Sequence, residues 1–193
     1  MTDVNARAPA APLAAALATG DRAAPPDEAR LVAMVELLFF AYRDFVAGPD
    51  AVLAELDFGR AHHRVLHFVN RNPGLRVADL LSILKITKQS LARVLKLLVD
   101  QGYILQVAGA VDRRERRLHT TDKGRRLADR LLALQIRHLD EAISAAGPQA
   151  RHSAAAFLAG VIAPEDRPRA VALLERVTGA STGTARGQRL EST

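Results

Sequence analysis

The sequence predicts a mainly α-helical fold with one small β-hairpin (class α+β), and three features support this prediction. Between residues 28 and 178, apolar side chains recur every three or four positions, which is the period of helices with one buried face. Residues 103–121 depart from that period and alternate like two short strands joined by a turn. The breakers Gly48-Pro49, Pro73-Gly74 and Gly147-Pro148 separate the helical segments.

Composition limits the class of protein. The 193 residues suit one domain, and 49% of them are hydrophobic, which is enough for a core. There is no cysteine, which excludes a disulfide framework, a thiolate zinc site and a thiol redox switch. Pro9 and Pro12 interrupt the alanine-rich start, so no signal peptide is predicted, and no apolar run approaches the roughly 20 residues that cross a bilayer. We therefore expect a cytoplasmic protein without a membrane partner.

The two ends are predicted to differ from the middle. Residues 1–27 are rich in alanine and proline, residues 179–193 are small and polar, and both compositions are typical of flexible tails. The folded domain is expected between them, over residues 28–178.

The first two helices are predicted at about 28–47 and 59–71. Gly48-Pro49 is expected to end the first, and Asn72-Pro73-Gly74 the second. The residues that follow the 3–4 spacing of the first helix are Leu31, Met34, Val35, Leu38, Tyr42 and Phe45. In the second helix, Val65, Leu66 and Val69 are predicted to face inward.

Residues 77–101 are predicted to form a helix-turn-helix. A short extended segment, 75–77, leads into a brief helix, and two or three residues after it Thr87 can cap a second helix. Gly102 ends that helix, because glycine tolerates the left-handed conformation there. The inward face of the pair is predicted to carry Leu80, Leu81, Leu84, Leu91, Val94, Leu95 and Leu98.

A hairpin at 103–121 follows, then a long helix at 122–146 and two C-terminal helices at about 149–162 and 165–178. This order of elements is that of a winged helix. In such folds the second helix of the turn motif enters the major groove of DNA, and the hairpin, called the wing, reaches over the backbone.

The basic charge is concentrated in the same region. From Lys85 to Arg130 there are twelve Lys or Arg against five Asp or Glu, a local net charge of +7, whereas the rest of the chain sums to −1. A localised excess of this kind indicates a polyanionic partner, nucleic acid before membrane.

The predicted second helix offers side chains for DNA contact. Gln89 could pair with adenine and Arg93 with guanine or a phosphate, while the hydroxyls of Thr87 and Ser90 suit phosphate oxygens. The alternative to DNA contact is that these residues form an ordinary solvent-exposed helix face. The candidate DNA-binding residues of this helix are Thr87, Lys88, Gln89, Ser90, Arg93 and Lys96.

Two short motifs resemble the MarR family of transcriptional regulators. The wing signature of that family is Asp-x-Arg, here Asp112-Arg113-Arg114, followed at the expected distance by Leu-Thr-x-x-Gly, here residues 120–124. Thr120 departs from the pattern, since leucine is usual at that position. The resemblance covers about residues 30–146 and includes the helix TKQSLARVLKLLVDQGYI.

The resemblance implies a repressor that binds double-stranded DNA as a homodimer, with the first and last helices interlocked on a near-palindromic operator. It also implies that Arg113 or Arg114 reaches the minor groove while Asp112 orients an arginine, and Arg116 is a further DNA-binding candidate. Narrow A·T-rich minor grooves favour inserted arginine. The alternative is that these charges only keep a hairpin soluble.

His63 and His67 lie four residues apart, so they share one helix face. That spacing can chelate a metal, but the zinc-protease pattern needs Glu where Arg64 stands. They could also be hydrogen-bonded or partly exposed histidines. A third reading comes from the resemblance: related regulators bind small aromatic or anionic effectors in this region, and these two residues would contact such a ligand. We expect no cofactor and no metal.

Three classes of function were compared. A sequence-specific DNA-binding regulator fits the motifs and the charge. A winged helix that binds protein without sequence-specific DNA binding is the alternative. An enzyme is not expected, because the chain has no cysteine nucleophile, glycine-rich phosphate loop or nucleophile elbow.

Overall fold

The computed structural model describes residues 28–109 and 115–184, with side chains described as far as Glu175. The chain divides into two compact units between Ala145 and Ala146. The first contains α1 (Glu28–Ala54), α2 (Arg60–Arg71), β1 (Leu75–Arg76), α3 (Val77–Leu84), α4 (Lys88–Asp100), β2 (Ile104–Ala108), β3 (Arg116–Thr120) and α5 (Asp122–Ala146). The second contains α6 (Ala150–Val161), a 3₁₀ turn (Pro164–Asp166) and α7 (Arg167–Thr184).

One apolar core holds the first unit together. It is built from the inward faces of α2, α3 and α4, the end of α1, the sheet and the first turns of α5. The predicted inward faces of α2 and α4 are confirmed, since their apolar residues are buried. The side chains most completely buried include Leu53, Leu66, Leu80, Leu91, Leu98, Ile104, Leu118 and Leu131.

The predicted hairpin is confirmed and belongs to a three-stranded antiparallel sheet in the order β1-β3-β2. In the register of the sheet, Leu118 of β3 is paired with Leu75 of β1 on one side and with Gln106 of β2 on the other. Beyond the ladder, the amide of Gly109 donates to the carbonyl of Glu115 at 2.9 Å and closes the neck of the wing.

The predicted end of the first helix at Gly48-Pro49 is wrong. Helix α1 continues through Pro49 to Ala54. An internal proline costs about 3 kcal/mol, because it removes one hydrogen bond and crowds the preceding turn. Here Pro49, Val52 and Leu53 are all buried, and each fully buried aliphatic side chain is worth about 1.5–3 kcal/mol. Tertiary burial therefore outweighs the local signal.

The C-terminal helices form as predicted, but α7 extends to Thr184 instead of ending at 178. Glycine inside a helix costs only about 1 kcal/mol relative to alanine, so Gly179 and Gly183 do not oblige the helix to stop. The rest of the predicted tail, 185–193, and the whole of the N-terminal tail, 1–27, lie outside the described residues. Within the described ranges no helix combines the length and apolarity needed to cross a membrane.

The junction between the wing and α5 brings backbone very close to backbone. The hydroxyl of Thr121 donates to the carbonyl of Gly102 at 2.7 Å and accepts from the amide of Gly124 at 3.0 Å, so it caps α5 and ties it to the end of α4. A Cβ on Gly124 would lie 2.0 Å from the carbonyl oxygen of Tyr103. Threonine and glycine at this spacing are thus explained by a cap and a close approach.

Replacement of Gly124 by alanine should destabilise the protein strongly, by about 3 kcal/mol or more, because a backbone atom cannot move aside as a side chain can. The measurement is urea unfolding followed by circular dichroism. Gly160→Ala is the matched control, since no atom of the described residues lies within 4 Å of a Cβ there. Equal unfolding midpoints for the two variants would show that the close approach at Gly124 does not exist.

Candidate nucleic-acid interface

Helix α4 begins with the cap that its sequence predicts. The amide of Ser90 donates to the hydroxyl oxygen of Thr87 at 3.1 Å, and that hydroxyl donates to the Ser90 hydroxyl at 2.9 Å. A cap of this kind contributes about 1 kcal/mol. The hydroxyl of Thr87 is therefore committed to the helix start, which favours a structural role over the predicted phosphate contact.

The outer face of α4 is basic and exposed. Its inward residues are buried in the core, so helical geometry turns the polar residues away from it. Lys96 is paired with Asp100 on the same face, whereas Gln89 and Arg93 make no side-chain hydrogen bond or ion pair within the described ranges. The exposed residues are Thr87, Lys88, Gln89, Ser90, Arg93 and Lys96, as the sequence predicted.

The turn between α3 and α4 takes its shape from a left-handed residue. Lys85 has φ +50°, which reverses the chain between the two helices. Arg64 of α2 donates to the carbonyl of Leu84, the last residue of α3, at 3.1 Å. Sequence reasoning did not single out Arg64, because nothing in a linear pattern shows that α2 lies beside this turn.

The wing is described only in part. Arg116 is exposed at the start of β3. Asp112, Arg113 and Arg114, the predicted wing-orienting and minor-groove residues, lie outside the described residues.

Thr120 occupies the position where the resemblance led us to expect leucine, and its hydroxyl is satisfied. It donates to the side-chain oxygen of Asn70 at 3.1 Å, and the Asn70 amide nitrogen donates to Asp129 at 3.0 Å. A polar bridge through Thr120 and Asn70 thus joins β3, α2 and α5.

A cavity of about 520 Å³ lies between α1, α2 and α5. His63 and His67 both line it, so the structure brings the two predicted effector contacts together. Arg64 also lines it, and an apolar part of the wall comes from α5. The remaining lining residues are Tyr42, Phe45, Val46, Arg60, Phe68, Leu132, Gln135, Ile136 and Leu139.

These histidines favour their neutral forms. Burial lowers the pKa of His63 below its ordinary value, and the neighbouring His67 lowers it further. Burial also lowers the pKa of His67, with the charge of Arg71 acting in the same direction. Within the described part of the chain, no three His, Asp or Glu side chains are grouped as a metal site would require.

Comparison with known proteins identifies the family. The model of the MarR family matches residues 56–115 of the chain. The HTH-type transcriptional regulator PetP of Rhodobacter capsulatus is 52% identical over 116 residues, which are 60% of this chain and 70% of that protein. The chain belongs to the MarR family. As a MarR-family HTH-type transcriptional regulator, it is not an enzyme, which confirms the sequence prediction.

Solved structures show the same fold. FabT of Streptococcus pneumoniae in complex with DNA has a TM-score of 0.62 at 18% identity, covering 68% of this chain and 94% of FabT. The transcriptional repressor CouR, bound to a 23-mer DNA duplex, has a TM-score of 0.55 at 25% identity, covering 68% of this chain and 90% of CouR. The transcriptional regulator SlyA has a TM-score of 0.57 at 19% identity, covering 75% and 97%. The predicted winged-helix fold of this MarR-family chain is confirmed.

The lowered pKa values of His63 and His67 give stability a defined pH dependence. The folded protein binds these protons more weakly than the unfolded chain, whose histidines titrate near 6.5. The contribution of the two neutral histidines to the free energy of unfolding is therefore fully present above about pH 6.5. It is lost as the pH falls towards their lower pKa values in the folded state. Urea midpoints at pH 7.5 and 5.5 should therefore differ less for His63→Asn and His67→Asn than for the native chain. The exposed His152→Asn serves as control, and an unchanged difference in all three variants would contradict the burial argument.

Proposed function

We propose that this MarR-family regulator is a cytoplasmic transcriptional repressor that binds a near-palindromic operator in double-stranded DNA as a homodimer. A small aromatic or anionic effector releases it. The observation that carries the proposal is the exposed basic face of α4, on which Gln89 and Arg93 have no side-chain partner among the described residues. The residues of the wing, which follow in the same segment of the sequence, are also basic. FabT and CouR, which share the fold, are known in complex with DNA.

The roles within the interface follow from chemistry. Arg93 can donate two hydrogen bonds to one guanine, and Gln89 can pair with adenine, so these two side chains would read bases. Lys88 and Lys96 are point charges suited to phosphates. Ser90 can donate to a phosphate from the start of α4, while Thr87 acts by capping that helix. On the wing, Arg113, Arg114 and Arg116 would supply the minor-groove and backbone contacts, with Asp112 orienting one of them.

The homodimer is supported by α1, whose first half exposes apolar side chains around its whole circumference. A helix that is apolar all round is normally buried, and leaving each such side chain in water forgoes about 1.5–3 kcal/mol. Phe39 is 70% exposed and Phe40 55% exposed. A second copy of the chain would cover these residues. The exposed apolar residues of α1 are Leu31, Val32, Met34, Val35, Leu38, Phe39, Phe40 and Tyr42, and those of the second unit include Phe157, Leu158, Val161, Val171 and Leu174.

Effector release is supported by the position of Arg64. Its side chain lines the cavity that contains His63 and His67, and it donates to the carbonyl of Leu84 at the helix-turn-helix. An anion in the cavity would attract the Arg64 guanidinium and weaken that contact. The ligand would thereby act on the turn that orients α4.

Selection from duplexes with about 30 random base pairs tests the DNA proposal. The full-length protein should enrich one two-fold symmetric sequence, with half-sites about one helical turn apart or a multiple of it. It should prefer this selected duplex over a shuffled one by at least about a thousandfold. Sedimentation velocity should show two chains per duplex.

Point variants then separate base reading from charge. Arg93→Ala should weaken binding of the selected duplex by about ten- to a hundredfold, because one bidentate contact contributes about 1–3 kcal/mol. Arg137→Ala removes the same charge from exposed α5 and should change little. If no sequence is enriched, the specific regulator is wrong and the protein-interaction module is favoured.

A panel of benzoate, phenylacetate and phenol tests the effector proposal. At least one compound should raise the melting temperature and weaken binding of the selected duplex, because a ligand that binds only the folded state stabilises it. His63→Asn and His67→Asn should lose the response, whereas His152→Asn should keep it. A flat response to every compound in both assays would count against an effector site in this cavity.

A further inference from the structure

The neck of the wing carries a carboxylate in a basic environment. Glu115 stands directly before β3, and its backbone carbonyl accepts the Gly109 amide that closes the hairpin. Its side chain is only 25% exposed. One carboxylate oxygen, Oε1, lies 2.8 Å from Nη2 of Arg117, and the other, Oε2, lies 4.0 Å from Nη1 of Arg76. Glu115 thus contacts the return strand of the wing and the strand that leads into α3.

The register of the sheet explains why a carboxylate is useful there. Arg76 of β1 and Arg117 of β3 are direct cross-strand partners, and like charges in that arrangement repel each other. Glu115 lies two residues before Arg117, so it points to the same face of the sheet. Its carboxylate neutralises the repulsion that the pairing of Arg76 with Arg117 would otherwise create.

Arg76 extends this connection into the helix-turn-helix. It is the residue immediately before α3, and its guanidinium makes two hydrogen bonds to Asp79 in the first turn of that helix, at 2.6 and 2.8 Å. Asp79, Arg76, Glu115 and Arg117 therefore form one continuous chain of charges. It runs from α3 to β3.

Stability alone does not account for the charge on Glu115. Oε1 is buried, and no hydrogen bond of good geometry reaches it from the described residues, although Arg117 Nη2 is near. Buried acceptors are normally satisfied, and half-exposed ion pairs such as these add little to the free energy of unfolding. A partly buried carboxylate that adds little stability is better explained by a role in orienting the strands that it joins, β1 and β3.

We propose that Glu115 is a positioning residue that determines specificity: it fixes the neck of the wing relative to α3, so that wing and α4 engage DNA in a single register. The inference rests on the proposed DNA-binding function. It concerns a residue that is not itself a base-reading or phosphate-binding side chain.

The test compares Glu115→Gln with Glu55→Gln, which removes the same charge from an exposed position at the end of α1. Affinity is measured for the selected duplex and for its shuffled counterpart. Glu115→Gln should bind the selected duplex about tenfold more weakly and the shuffled duplex equally well or slightly better, because loss of the negative charge between Arg76 and Arg117 makes that surface more basic. Glu55→Gln should leave both affinities unchanged. If Glu115→Gln bound each duplex as tightly as the native chain does, or more tightly, Glu115 would be only a repulsive charge and the proposal would be overturned.

A double-mutant cycle identifies the partner. If Glu115 acts through Arg76, the variant with both Arg76→Gln and Glu115→Gln should lose no more specificity than Glu115→Gln alone. Fully additive losses would overturn the connection to α3.

A measurement without DNA separates this inference from the proposed function. Hydrogen exchange at the Gly109 amide should accelerate about tenfold in Glu115→Gln, because that amide closes the neck. An unchanged rate would overturn the positioning role. A native chain that selects no duplex would overturn the proposed function and the specificity role with it, while faster exchange at Gly109 would still support the contact at the neck.

Discussion

The close packing of the start of α5 against the start of β2 is the constraint on which the rest of the winged unit depends. Only glycine at position 124 lets the helix approach the carbonyl of Tyr103 so closely, and Thr121 secures the approach by bonding both Gly102 and Gly124. The end of α4, the first residue of the hairpin and the first turn of α5 are thereby fixed to one another. The positions of α4, the hairpin and α5 are therefore fixed relative to one another.

Within this winged unit, α2 lies between the two candidate sites. One of its edges lines the cavity through His63 and His67, while Arg64 also reaches the last carbonyl of α3. Its C-terminal end is joined to the sheet and to α5 through Asn70. A displacement of α2 would therefore alter the contact of Arg64 at the turn before α4 and the contacts of Asn70 at the base of the wing. This geometry connects the cavity to the helix-turn-helix and to β3 through a single helix.

Much of the fold could be predicted, because it rests on local rules. The period of apolar residues identified the buried faces of α2 and α4, and the cap at Thr87 and the glycine at 102 gave the limits of α4. The wing motif indicated the family. The predicted end of the first helix failed because it depended on distant contacts: α1 passes through Pro49 because that proline is buried. The accommodation of Thr120 likewise depends on a distant residue, since its hydroxyl bonds to Asn70.

The sequence by itself determined the order of elements, the basic segment and the polar side chains that α4 exposes, since each follows from spacing along one helix or strand. Tertiary structure alone decided which charges meet. The pairing of Arg76 with Arg117, the approach of Glu115 to Arg76 and the contact from Arg64 to Leu84 join residues 20 to 41 positions apart. Coulombic and hydrogen-bond energies depend on distances of a few ångströms, and those distances are set by the packing of the core rather than by position along the chain.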